Sequence, residues 1–267
     1  CTNPRCVTAY EAGLYPDVDV NDVAFNLDEV GTSTAIIKGV VDYYLRHGKK
    51  VGGFNAFTTS SVPKGSGVSS SSAFELMIAE ILNVLYNDGQ LDAVFKAKAS
   101  QYSECAYFGK PCGLMDQMAC SYGGFVGIDF DDPANPVIEK VDFDIAKHGY
   151  NLCIIDTGGN HADLTDDYAS IRLEMNSVAE FFGKKVLRQV DEKDVFENIG
   201  EIRTKTGDRA IERAIHFYNE NKRVERLASA LSGGDFDDFK ATIIESGKSS
   251  YMYNQNCFTL SEPSEQP

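Results

Sequence analysis

The sequence predicts a two-domain chain built from both helices and strands, and three observations carry that expectation. Its 267 residues suffice for one large or two small cores. Several stretches repeat apolar residues with the period of a helix, while residues near 51–60, 124–130 and 150–158 form short β-branched or aromatic runs. The last run, "YNLCIIDTG", reads as a buried strand that opens a new region. A boundary near residue 150 follows, with domains of 1–150 and 151–267.

Taken in order, the segment up to Glu29 has mixed polarity and reads as turns and short strands. In "GTSTAIIKGVVDYYLRH", residues 31–47, the side chains of Ile36, Ile37, Val40, Val41, Tyr44 and Leu45 line one helical face, and Gly48 supplies the stop. Residues near 51–60 read as a strand or hairpin arm leading into "SVPKGSGVSSSS". Beyond it, Ala73, Phe74, Leu76, Met77, Ile78, Ile81, Leu82, Val84 and Leu85 make a helix apolar round most of its circumference, as burial between layers requires. A helix over 91–107, a strand over 124–130, a turn at "DDPANP" and helices near 164–182, 208–231 and 235–247 complete the series. "SEPSEQP" at the end reads as a frayed polar tail.

The formal net charge of −15 disfavours nucleic acid and anionic membrane as partners, since both attract a cationic face. No apolar run approaches the roughly 18 residues of a membrane span. A small molecule is the expected partner, and the protein is expected to be a monomer. Seven scattered cysteines without CxxC spacing argue against a zinc site and a disulfide framework, which suits a reducing cytoplasm. The N-terminus lacks the pattern of a signal peptide, but Cys1 opens the chain and Met77 is its first methionine, so a longer protein is expected.

Two stretches carry candidate chemistry. In "SVPKGSGVSSSS", Gly65 and Gly67 permit positive φ and close approach of an anion, while Ser69 to Ser72 supply hydroxyls, one of them an N-cap. The helix beyond adds about half a positive charge at its N-terminus, so a phosphate can bind even to an acidic protein. A Walker A loop is excluded because Lys64 precedes the glycines, and the GxGxxG fingerprint because Ser70 stands where its last glycine belongs. From residue types alone, a flexible connector before a core helix remains open. In "ECAYFGKPCGLMDQ", Gly109, Pro111 and Gly113 prevent one continuous helix between Glu104 and Asp116 and can turn Asp116 back towards the loop. Phosphoryl transfer needs hard oxygen ligands for a metal and a group that takes the proton of the attacking hydroxyl. Glu104, a loop serine and Asp116 can fill those roles; a solvated helix-end charge and a helix cap are the other readings of the two carboxylates.

"VPKGSGVSSSSAFE" resembles the second signature of the GHMP small-molecule kinases, and "ECAYFGKPCGLMDQ" resembles a galactokinase stretch of that family. "DTGGNHADLTDDYASIRLEM", with His161, Tyr168 and Arg172, and "SSYMYNQN" extend the resemblance over about residues 30 to 258. It implies the two-domain α+β fold of these kinases, an N-terminal domain like ribosomal S5 domain 2 and a C-terminal ferredoxin-like domain. It also implies transfer of phosphate from ATP, with Mg²⁺, to the anomeric hydroxyl of a sugar, galactose in the first instance. A related sugar such as N-acetylgalactosamine or arabinose, or a non-catalytic sugar sensor, is the alternative. By the resemblance Gly65, Ser66, Gly67, Ser69 and Ser70 contact phosphates, Ser71 and Glu104 hold Mg²⁺, Asp116 takes or organises the sugar's proton, and Tyr168 contacts the sugar. His161 is given a packing or helix-end role. Val68 and Ser72 depart from the family's leucine and alanine without changing the loop's length. "GGNHADLTDD" is more acidic than the corresponding galactokinase segment. The family's N-terminal sugar motif and C-terminal glycine-rich motif have no counterpart here, so the chain is expected to lack part of the sugar site.

Overall fold

A computed structural model describes residues 10–11, 13–14, 17–60, 62, 67–132, 135–153, 155 and 165–257. Gly65, Ser66 and His161 lie outside them. By their contacts the residues form two compact units, Cys1–Gly123 and Gly124–Pro267. The sequence reading draws its boundary near 150; the units meet earlier in the chain because the strands that follow Gly124 pack with the helices after them.

In the first unit, β1 (Tyr10–Glu11) and β2 (Gly13–Leu14) pair as a short antiparallel hairpin. Helix α1 (Ser33–Arg46) starts where Thr32 Oγ1 accepts the N–H of Ala35; it buries Ile36, Ile37, Val40, Val41 and Tyr44 of the expected stripe, while Leu45 at its end is exposed. Helix α2 (Ser70–Tyr86) buries Leu76, Ile78, Ala79 and Leu82, but Val84 and Leu85 are more than half exposed, so it is covered on one side only and not all round. On that covered side it also carries Ser72 and Glu75. Helix α3 (Ala93–Ser103), capped by Asp92 Oδ1, ends in a wide π turn over Glu104–Phe108, and α4 (Met115–Tyr122) follows. The expected single helix over 91–107 therefore changes its winding at Glu104.

Helices α1, α2 and α3 pack on one another around Val40, Val41, Tyr44, Ile78, Leu82 and Ala99. Where α1 crosses α3, Gly39 leaves no room for a side chain: a Cβ there would sit 2.7 Å from Ser103 Cα. Ser103 Oγ donates to the Ile36 carbonyl at 2.6 Å, and Tyr44 Oη donates to the Ala79 carbonyl at 2.7 Å.

Residues 51–60 form no strand. Their neighbourhood is tied down by side chains instead: the Asn87 amide donates to the Lys50 carbonyl at 2.9 Å and accepts the Lys50 N–H at 3.1 Å, and Tyr86 Oη donates to the Gly53 carbonyl. With Phe54 buried, the apolar pattern that suggested a strand serves the core without a ladder.

The second unit begins with an antiparallel hairpin, β3 (Phe125–Asp129) and β4 (Val137–Val141), in register Phe125↔Val141 to Asp129↔Val137. Strand β4 was not apparent in the sequence. The described residues of "YNLCIIDTG" have no regular structure. Helices α5 (Thr165–Phe181), α6 (Glu192–Glu197), α7 (Ile199–Thr206), α8 (Asp208–Gly233) and α9 (Phe236–Ser249) follow. Gly234, left-handed with φ +72°, ends α8, and Asp235 Oδ1 caps α9. The core gathers Val178, Ala179, Ile202, Ala210, Ala214 and Tyr218. Within it Arg213, 3% exposed, donates to Glu174 at 2.9 Å, to Ser170 Oγ at 3.0 Å and to the Asn254 carbonyl at 3.0 Å. No helix among the described residues is long and apolar enough to cross a membrane.

Candidate active site

The start of α2 is built with backbone strain. Gly67 has φ +72° and Ser69, the residue at the N-cap position, is left-handed at φ +59°. A non-glycine residue there costs about 1–2 kcal/mol, and such residues cluster at ligand clamps. The Ser69 hydroxyl makes no capping bond, contrary to the usual role of serine at this position. The serine that does engage is Ser71, one turn-position into the helix, whose Oγ donates to Glu104 Oε1 at 3.2 Å across 33 residues of sequence.

Glu104 stands at the head of the π turn, and the extra residue in that turn is the kind of local rewinding found at functional sites. Gly109, with φ +85°, closes the turn by donating its N–H to the Glu104 carbonyl, and Lys110 N–H reaches the same oxygen at 3.1 Å. Only 2% of Glu104 is exposed. Its Oε1 also accepts from Lys110 Nζ at 3.1 Å, while Oε2 accepts from Gln117 Nε2 at 2.8 Å. The same Gln117 nitrogen lies 3.4 Å from Glu75 Oε2.

Glu75, fully buried on α2, has its carboxyl pushed up from its ordinary 4.5 to about 8. Burial is the main cause, reinforced by the negative charges of Glu104 and Asp116 and only partly offset by the Gln117 bond and Lys110. Three buried polar atoms in this group, Ser72 Oγ, Glu75 Oε1 and Gln117 Oε1, have no hydrogen-bond partner among the described residues. Cys112 Sγ also lies on Gln117, at 3.7 Å, and is 3.7 Å from Cys105 Sγ; burial and Glu104 push the Cys112 thiol up.

Asp116 is exposed in the first turn of α4, a helix that packs on α2 and α3. The first unit thus brings together Ser71 and Glu104 by direct contact, with Asp116 adjacent in sequence to the Gln117 that binds Glu104. Tyr168 belongs to the second unit. It is 62% exposed on α5 and, with Arg172, Met175 and Phe217, lines a cleft of about 770 Å³ beside β3 and β4.

Glu75, Lys110 and Gln117 were not singled out from the sequence. Glu75 did leave a signal: it is a carboxylate four residues after Ser71 on the covered side of an otherwise apolar helix. Among the described residues no group of three or more His, Cys, Asp or Glu side chains could hold a metal ion. A serine hydroxyl and one carboxylate are nonetheless the hard oxygen set that Mg²⁺ takes when phosphate oxygens and water complete its shell.

Residues 35–124 match the GHMP kinases N terminal domain. The chain is 29% identical over 241 residues to a galactokinase of Streptomyces coelicolor, covering 86% of this chain and 60% of that protein. It is 31% identical over 212 residues to a galactokinase of Clostridium tetani, covering 78% of this chain and 53% of that protein. The crystal structure of Lactococcus lactis galactokinase complexed with galactose matches at a TM-score of 0.70 and 18% identity, over 95% of this chain and 65% of that one. The chain therefore has the α+β fold of that kinase. It spans somewhat over half the length of the curated relatives it matches.

Proposed function

We propose that this chain, whose residues 35–124 match the GHMP kinases N terminal domain, serves an ATP-dependent sugar kinase that phosphorylates the anomeric hydroxyl of galactose. The observation that carries the reading is the 3.2 Å contact between Ser71 Oγ and Glu104 Oε1, made with Asp116 at the start of the helix whose Gln117 grips the same carboxylate. The likeness to galactokinases supports the choice of substrate.

In this reading Gly65, Ser66, Gly67, Ser69 and Ser70 present backbone N–H groups and hydroxyls to the triphosphate, aided by the positive end of α2. Ser71 and Glu104 would hold Mg²⁺, which when bound neutralises charge on the phosphate oxygens. Asp116 accepts the proton of the sugar's anomeric hydroxyl as that oxygen attacks the γ-phosphorus, and ADP leaves. Its exposure lets the sugar reach it. Tyr168 is a further sugar contact in this reading.

The test is ADP release by the complete gene product with Mg²⁺ and a panel of galactose, N-acetylgalactosamine, arabinose and glucose. Galactose is expected to turn over fastest. Preference for another of these sugars would move the substrate, sugar binding without turnover would make the protein a sensor, and silence on all four would overturn the kinase reading. Ser71→Ala should weaken the dependence of turnover on Mg²⁺ with the circular dichroism spectrum unchanged; an identical metal titration would remove Ser71 from the ligand set.

A further inference from the structure

We propose that Gln117 is a positioning residue that sets the orientation of the Glu104 carboxylate, turning its Oε1 towards Ser71 by holding Oε2 from behind. The proposal rests on the kinase reading given above, since the metal it concerns is the one that reading requires.

Three elements converge on this one amide. Gln117 on α4 donates from Nε2 to Glu104 Oε2 on the π turn at 2.8 Å, and the same nitrogen is 3.4 Å from Glu75 Oε2 on α2. The residue is 1% exposed, so water does not compete for either bond. The amide's direction follows from its nearer partner: flipping it would set Gln117 Oε1 against Glu104 Oε2, acceptor against acceptor. That choice leaves Gln117 Oε1 and Glu75 Oε1 without partners among the described residues. A buried orphan costs about 1–3 kcal/mol, and a site that retains two of them is organised for something other than stability.

The two oxygens of Glu104 are consequently unlike. Oε2 is fixed by a buried neutral donor. Oε1 meets Ser71 Oγ and the ammonium of Lys110, whose side chain is 62% exposed and free to swing away on its long stem. A neutral amide is the suitable group for the rear position, because it orients the carboxylate without cancelling the charge a cation needs. A lysine or arginine there would hold Glu104 equally well and weaken its attraction for Mg²⁺.

The experiment measures how the affinity of the full chain for a non-hydrolysable ATP analogue depends on Mg²⁺, by calorimetry, in wild type and in Gln117→Met, which keeps the length of the side chain and removes the donor. Partners behind a metal ligand are worth about 10–100-fold in metal affinity, so the half-maximal Mg²⁺ concentration should rise by about tenfold or more. Metal-free affinity for the analogue should stay the same, which a general loss of structure would not allow. A metal midpoint within about twofold of wild type, or an equal loss of metal-free affinity, would overturn the proposal. Should the single variant fail to fold, Glu75→Leu combined with Gln117→Leu removes both buried polar partners together and carries the same expectation. If the wild type shows no Mg²⁺ dependence, the kinase reading itself fails and the proposal falls with it. A responsive wild type beside an unmoved variant refutes the proposal alone.

Discussion

Glu75→Gln should make the first unit more stable, and by an amount that grows with pH. The folded carboxyl loses its proton at about 8, against 4.5 for the ordinary group, so between these values the folded chain binds more protons than the unfolded one. Stability then falls as pH rises, at up to about 1.4 kcal/mol per pH unit, starting near 4.5 and levelling off above 8. Fully developed, the penalty is on the order of 5 kcal/mol, a large share of what holds a small domain together. Glutamine keeps the shape and the acceptor for Gln117 and has no proton to lose. Urea unfolding followed by far-UV circular dichroism from pH 5 to pH 9 should give curves for the two proteins that nearly meet at the acid end and diverge steadily towards pH 8, the variant lying higher. Parallel curves, or a variant that weakens as pH rises, would refute the argument that burial and the neighbouring carboxylates keep Glu75 protonated.

Asp116→Asn, close in shape but unable to take a proton, should lower phosphoryl transfer by about 10²–10⁴-fold while leaving nucleotide affinity unchanged; undiminished turnover would rule out Asp116 as the base. Gly39→Ala sets a Cβ 2.7 Å from Ser103 Cα and 2.8 Å from its Oγ, contacts that backbone must move to relieve. A loss of about 1–3 kcal/mol in denaturant unfolding is expected. In the second unit, Arg213→Leu strips a buried cation from Glu174 and the Asn254 carbonyl. Thermal unfolding should show a loss of about 3–5 kcal/mol, although Arg209 keeps its own pair with Glu174.

What the sequence by itself determined was local. Helices α1, α2, α5, α8 and α9 were legible because a 3.6-residue apolar period acts within a few residues of the chain. The loop before α2 was legible only as glycines and serines ahead of a helix, a spelling that fits either a phosphate cradle or a flexible connector. Strands were less legible, because a strand exists only with a partner from elsewhere in the chain. Residues 51–60 had the composition of a strand, but Asn87 and Tyr86 took up the neighbouring backbone groups that a ladder would have used. "VIEKV", short and interrupted by two charged residues, became β4 because β3 paired with it. Its packing against α8 draws the hairpin into the second unit.

The tertiary structure alone decided how the site is wired. Ser71 meets Glu104 across 33 residues, and Gln117 lies against Glu75 across 42. No periodicity encodes such contacts, since they arise where three helices enclose a space that water cannot enter. That enclosure turns Glu75, a charged group by its sequence, into one that keeps its proton. It also makes Gln117, an unremarked neighbour of Asp116, the side chain that holds Glu104.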